Sequence, residues 1–280
     1  MQCSNHQSYT QDQMIVLDLE KKYFEILYKI FSSIQFQDEL KSLINDINRR
    51  WERIYTHWGK ENVVDLAVER HINYMVYNHK LLKGKIQTIY PSVISSDTAF
   101  VTSDAVINID SKTVNVAGNP GDWRRQNIGC NQTSFDNKMN YYAPDKKIYV
   151  QIGAFLASEN HHGKPVLSYF LSTLFHSDKQ KKMDSWYDDS KYSSKPYNKN
   201  NKNKSRVNEQ FLNNIKFACM PNAEVSSLYD YDIVDGVKGY VPPNVPNPSS
   251  TSSFRVQFES LKNRFDSKGR SWDGVKEWKI

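Results

Sequence analysis

The chain has 280 residues, enough for one large domain or two small ones, and 37 lysines and arginines against 31 acids give a formal net charge of +6, which suits a polyanionic partner better than an acidic one. No uninterrupted apolar run approaches the roughly 20 residues a bilayer crossing needs, so a membrane partner is not expected. Cys3, Cys130 and Cys219 fit neither a disulfide framework nor a metal-ligand spacing, and the polar stretch 1–13 lacks the apolar core of a signal peptide, so a cytoplasmic protein is expected.

In residues 14–30, Ile15, Leu19, Phe24, Leu27 and Ile30 fall near helical spacing. Residues 37–58 repeat the pattern with Leu40, Leu43, Ile44, Ile47, Trp51 and Ile54. Both helices are expected to supply core or partner-facing surface rather than chemistry. A third helix is expected over 62–80, where Asp65, Glu69, Ile72 and Val76 form one stripe at three- and four-residue spacing. A carboxylate in line with a core-facing stripe is either a solvated edge residue or a side chain that reaches a site beside the helix. Glu69 is the candidate for the second role. Gly84 is a plausible helix stop, and 86–94 leads on as an extended segment.

Residues 97–112 carry the densest signal. Two β-type runs, 98–102 and 105–109, flank Ser103 and Asp104, the pattern of a β-hairpin. A turn centred on that pair sets Asp97 opposite Asp110, where directly opposed Cβ atoms lie about 4.5–5.5 Å apart. Residues two apart on a strand share a face, so Lys112 joins the two carboxylates. Carboxylates that close repel unless a cation lies between them. One or two carboxylates, with water and phosphate completing the shell, is the environment Mg²⁺ prefers. A lysine beside it orients an attacking water and counters charge building on a phosphate.

Gly118, Pro120, Gly121 and Gly129 break regular structure, so a loop is expected over 117–135. Arg124 and Arg125 suit guanine or phosphate, and Asn127, Asn131 and Gln132 suit adenine edges. A loop springing from the Asp110 strand must lie over whatever that site acts on. Strands are expected over 147–155, 164–175 and 215–220. His161 and His162, in the turn 158–163, are read as solvent-facing. The lysine-rich stretch 178–208 cannot bury enough apolar surface to order itself; it is either a free insert or an arm that orders along a phosphate backbone. Residues 241–253 are a linker or surface wrap. A last helix is expected over 254–265, with Arg255, Lys262 and Arg264 beside Phe258, Leu261 and Phe265, before a tail carrying Trp272 and Trp278.

Asp97 with Asp110-Ser-Lys112-Thr resembles the signature of the PD-(D/E)XK nucleases, with Ser96 where the family usually has proline. Gly118-Asn-Pro-Gly-Asp-Trp123 and Asn131-Gln132 resemble the segment after the catalytic strand in BglI-like type II restriction endonucleases. Thr133-Ser134-Phe135 is similar to the matching loop of the EcoRV-like members, and Asn214 to Asn222 is again BglI-like. The resemblance covers roughly 64–222. It implies an α/β (α+β) protein with a mixed five- to six-stranded sheet flanked by helices, and a homodimer on double-stranded DNA. It also implies Mg²⁺-dependent hydrolysis of one phosphodiester per subunit at a short specific sequence. By the same resemblance Asp97 and Asp110 are the metal-binding carboxylates, Lys112 the catalytic lysine and Glu69 a further acid, while Asp122, Trp123, Thr133 and Ser134 join the DNA-binding residues. The Asp97 to Asp110 spacing is shorter than in the BglI type and nearer that of EcoRV and HincII, which leaves Asp104 as a rival to Asp97. A structure-specific repair nuclease and a non-catalytic DNA-binding protein on the same fold are the alternatives. The expected organisation is a single domain over 1–280, with N-terminal helices (1–60), a catalytic core (62–222) holding the basic insert 178–208, and a C-terminal wrap and helix (223–280).

Overall fold

A computed structural model describes residues 9–58, 63–90, 96–115, 123–129, 134, 139–143, 146–150, 163–176, 211–229 and 253–280. Three helices open the chain: α1 (Gln11–Phe31), α2 (Ile34–Trp58) and α3 (Val63–Asn78). The start of α1 is set by a capping box. The Thr10 hydroxyl accepts from the Gln13 amide at 3.2 Å, and the Gln13 side chain accepts from the Thr10 amide at 3.1 Å.

The central sheet has six strands in the order β1 (Thr88–Tyr90), β2 (Thr98–Val101), β3 (Val106–Asn115), β7 (Val166–His176), β8 (Phe211–Met220) and β12 (Val275–Lys279). It is mixed: β3 runs parallel to β7 and the other pairings are antiparallel. The expected sheet of five to six strands flanked by helices is therefore the one observed. Ile107 and Ile109 on β3, Leu167, Tyr169 and Leu171 on β7, and Ile215, Phe217 and Cys219 on β8 join one apolar cluster with residues of all three helices. Alternate residues of the same strands, Asn108, Asp110, Ser168, Ser172 and Lys216, are polar and buried. The period of two thus separates a face packed on the helices from an opposite face that carries Asp110, where buried polar residues alternate with apolar ones such as Phe170 and Ala218.

The hairpin forms in the expected register, with Thr98 opposite Ile109 and Phe100 opposite Ile107. Its turn is closed by the Thr102 amide donating to the Ala105 carbonyl at 2.8 Å.

Two expectations fail for one reason. Residues 254–265 are not a helix: they form β9 (Ser253–Gln257), a 3-10 turn (Phe258–Leu261) and β10 (Asn263–Phe265). Residues 117–135 are not loop throughout, because Arg125–Gly129 is strand β4. The two stretches pair with each other, and β10 pairs with β11 (Ser271–Asp273). Backbone groups that find partners far along the chain override a local period of three to four. A second hairpin, β5 (Met139–Ala143) with β6 (Lys146–Val150), stands where only one strand was expected. A short helix α4 (Ala223–Ser226) follows β8, capped by the Asn222 side chain. Residues 178–208, 241–252, His161 and His162 lie outside the described residues. Among the described residues no helix is long and apolar enough to cross a membrane.

Candidate active site

The register sets Asp97 one step beyond the last ladder pair, across from Asp110. The Asp97 carboxylate accepts a 2.7 Å hydrogen bond from the Ser111 amide and is hydrogen-bonded to the Asp110 side chain. Backbone and helix fix this corner together: the Asn73 side-chain amide of α3 donates to the Asp97 carbonyl at 3.1 Å, and Thr98 Oγ1 donates to Asn73 Oδ1 at 2.6 Å. Burial pushes the Asp97 carboxyl above its ordinary range, against the Ser111 amide, Lys112 and the Asp110 hydrogen bond, which pull it down. Asp110 is 3% exposed. Two carboxyls in contact hold a proton between them unless a cation takes its place.

Beside this pair, α3 and β3 enclose a cleft of about 60 Å³ lined by Asp65, Val68, Glu69, Ser111, Lys112 and Thr113. Glu69 is pushed up to about 7, first by burial and then by the charges of Asp97 and Asp65, with Lys112 and Arg70 opposing. Asp65 is pushed up to about 6 by burial, with Lys112 opposing. The structure thus brings together Asp97, Asp110, Lys112 and Glu69, the four side chains singled out for chemistry. It adds Asp65, one helical turn before Glu69. Asp65 was visible in the same stripe, but only its position over Lys112 gives it a role. Asp104 is excluded as the partner of Asp110. It lies at the turn, bound by Lys22, Tyr23 and Thr102. Burial would raise its carboxyl, and those hydrogen bonds outweigh it and hold it below the ordinary value.

Residues 13–179, more than half of the chain, match the family described as type II restriction enzyme MwoI, N-terminal domain. The chain belongs to the MwoI restriction-enzyme family. It is a type II restriction endonuclease, a site-specific deoxyribonuclease. Two solved structures share the fold of this MwoI-family chain. One is the restriction endonuclease BglI bound to its DNA recognition sequence, at TM-score 0.53 and 14% identity over 95% of this chain and 91% of that one. The other is the tetrameric restriction endonuclease SfiI bound to cognate DNA, at TM-score 0.52 and 14% identity over 97% of this chain and 89% of that one. No curated protein sequence matches.

The expected DNA-binding residues of the MwoI-family chain fall into three groups. Asp122, Asn131, Gln132 and Thr133 lie outside the described residues. Arg124 is exposed, and Arg125 and Asn127 stand on β4. Trp123 and Ser134 are anchors in this structure. The Trp123 carbonyl accepts from Lys216 Nζ at 2.6 Å, its indole N–H donates to Glu277 Oε1 at 3.3 Å, and the Lys216 ammonium lies 4.2 Å from its ring centroid. Burial lowers the Lys216 pKa, and Glu277 opposes the shift. Ser134 is buried, and its hydroxyl accepts from the Ala223 amide at the start of α4 at 3.1 Å. Both ends of the segment 123–134 are thereby tied to β8 and its continuation.

Proposed function

We propose that the chain cuts double-stranded DNA at a short specific sequence in a Mg²⁺-dependent reaction, with Asp97 and Asp110 as the cation's carboxylate ligands and Lys112 as the catalytic lysine. The observation that carries this reading is the contact between the Asp97 and Asp110 carboxyls, with Lys112 on the same strand face. The donor set fits the ion. It is all oxygen, and one or two carboxylates with water and phosphate completing the shell are what this cation prefers. Mg²⁺ bound there supplies charge stabilisation to the phosphate and to the departing 3′ oxygen.

The chain's own groups do the rest. Lys112 holds the attacking water in line with the phosphorus and counters the charge that builds on the phosphate oxygens. The bond from water oxygen to phosphorus forms as the bond to the 3′ oxygen breaks, leaving a 5′ phosphate and a 3′ hydroxyl. The Ser111 amide fixes the Asp97 carboxylate, and Glu69 offers a further oxygen at the edge of the cleft. Each subunit of a homodimer cuts one strand of a duplex, and the DNA-bound state of BglI and SfiI supports DNA as substrate. A single domain over 1–280 is supported by β1, β3 and β12 sharing one sheet. Digestion of a sequenced plasmid with purified protein and Mg²⁺, followed by mapping of the ends, tests the reading. Discrete 5′-phosphorylated ends at one repeated sequence are expected, and random nicking or no cutting overturns it. Sedimentation with a cognate duplex separates a dimer from a tetramer.

A further inference from the structure

We propose that Asp65 is the positioning residue for Lys112: from the far end of the cleft between α3 and β3 its carboxylate holds the ammonium off Asp97 and Asp110, leaving that pair free for the cation. This rests on the DNA-cutting function above and gives a part to an acid for which that reaction has no other use.

Three hydrogen bonds set the levels. The Asn73 side chain of α3 is bonded to the Asp97 carbonyl and the Thr98 hydroxyl, and the Tyr77 hydroxyl donates to the Ala99 carbonyl at 3.4 Å. The helix therefore runs in the same direction as β2. Since β2 and β3 are antiparallel, it runs back along β3. At about 1.5 Å per helical residue, Glu69 lies about 6 Å and Asp65 about 12 Å behind Asn73. At about 3.3 Å per strand residue, Lys112 lies about 7 Å past Asp110. Asp97 and Asp110 stand across from each other near the level of Asn73, so Lys112 falls between that pair and Asp65. Asp65 and Lys112 line one cleft, together with Ser111.

Charge points the same way. Apart from burial, Lys112 is the group that acts on the Asp65 carboxyl, and it draws it down. Glu69 is acted on by Asp97 first and Asp65 next, with Lys112 behind both. A lysine is a compact charge on a flexible four-carbon stem. Held by nothing else, it settles against the Asp97–Asp110 pair and competes with a cation for the same oxygens. A carboxylate on its other side removes the competition, with one acid for the ammonium and a pair for the divalent ion. The cleft has room for bridging water. The Ser111 hydroxyl, buried and without a hydrogen-bond partner among the described residues, lines it as a further anchor for that water.

The full chain, given random-sequence duplexes and Mg²⁺, defines its site from the cut ends, and single-turnover cleavage of that site is then followed across a Mg²⁺ series. Asp65→Asn is expected to cut about 10- to 100-fold more slowly at saturating Mg²⁺, the effect of a reacting group displaced by an ångström. It should also need more Mg²⁺ for half-maximal rate, while its affinity for the duplex in Ca²⁺ stays at the wild-type value. Asp65→Glu, which keeps the charge, should recover most of the rate. Calorimetric titration with Mg²⁺ completes the cycle: Asp65→Asn should weaken cation binding more in the wild-type background than beside Lys112→Met, where no ammonium is left to hold. An equal loss in both backgrounds would make Asp65 a ligand or a distant source of field, and would overturn the proposal. So would cleavage by Asp65→Asn at the wild-type rate. Should Asp65→Asn melt early, Asp65→Ser is read in its place by the same measurements. A wild-type chain that neither cuts DNA nor binds the cation sinks the endonuclease reading and this role with it, whereas a wild type that cuts beside an Asp65→Asn that cuts as fast sinks the role alone.

Discussion

Among the described residues, a buried ion pair and a half-buried cluster of acids are built on opposite rules. In the first, Glu20 of α1 meets Arg264 of β10, and every polar atom has a partner. Glu20 bonds the Arg264 guanidinium and the Asn222 amide, while Arg264 donates to the Tyr229 hydroxyl and the Cys219 carbonyl, each at 2.9 Å. In the second, Asp65, Glu69, Asp97 and Asp110 crowd around Lys112. The first group is neutral and complete. The second holds more acids than cations, and its carboxyl groups are displaced upward by burial and, at Glu69, also by the charges of Asp97 and Asp65. Charge that holds a fold is cancelled where it stands; charge that awaits a substrate is left over.

Breaking the surplus group should affect rate before stability. Asp110→Ala is expected to reduce plasmid cleavage by about a thousandfold or more, since a cation site of this kind supplies several kcal/mol of transition-state stabilisation. Its melting temperature should hold or rise, because an acid is removed from a crowded pocket. Cleavage at a wild-type rate would remove Asp110 from the mechanism.

Breaking the complete group should do the reverse. Arg264→Met leaves Glu20 buried and uncompensated, and a loss of about 3–5 kcal/mol of stability is expected in urea titrations. Adding Glu20→Gln should recover part of it. A single variant as stable as the wild type would show that the pair is not what fixes the C-terminal strands to α1.

The contrast sharpens with milder changes. Asp65→Asn and Glu69→Gln should each stabilise the metal-free protein by about 0.5–2 kcal/mol while slowing cleavage, the usual trade between stability and activity. A loss of stability in both would mean that these acids hold the fold. The smallest effect is on pH dependence. Glu69 titrates near 7 folded against an ordinary 4.5, and Asp65 near 6 against 3.8, so the folded chain binds more protons across that window. Stability of the metal-free protein should be greatest below about pH 4 to 4.5 as far as these two groups are concerned, and be lost as pH rises through 6 to 7. Melting curves at successive pH values check this, and saturating Mg²⁺ should flatten the slope. A slope of opposite sign would contradict the upward displacement.

What the sequence made legible follows the same division. The candidate site could be read because Asp97, Asp110 and Lys112 lie on one hairpin, where a turn and a period of two fix register without help from the rest of the chain. The Glu20–Arg264 pair could not be read, since its partners meet only after the sheet and α1 have packed. The β4–β9 pair was missed for that reason too: Phe258, Leu261 and Phe265 mimic a helical period, and β4 looks like loop until β9 is beside it. Asp65 lay in view on the α3 stripe, yet nothing in the sequence says that α3 crosses β3 at Lys112.

The pairing of Arg125–Gly129 with Ser253–Gln257 has a consequence for how such a protein can diversify. Its edge-to-edge partners are encoded far apart, so a gene crossover that imports one stretch without the other yields a mixed pair of strands. Exchanges confined to one stretch should therefore weaken the pairing, and matched exchanges at both places should keep it.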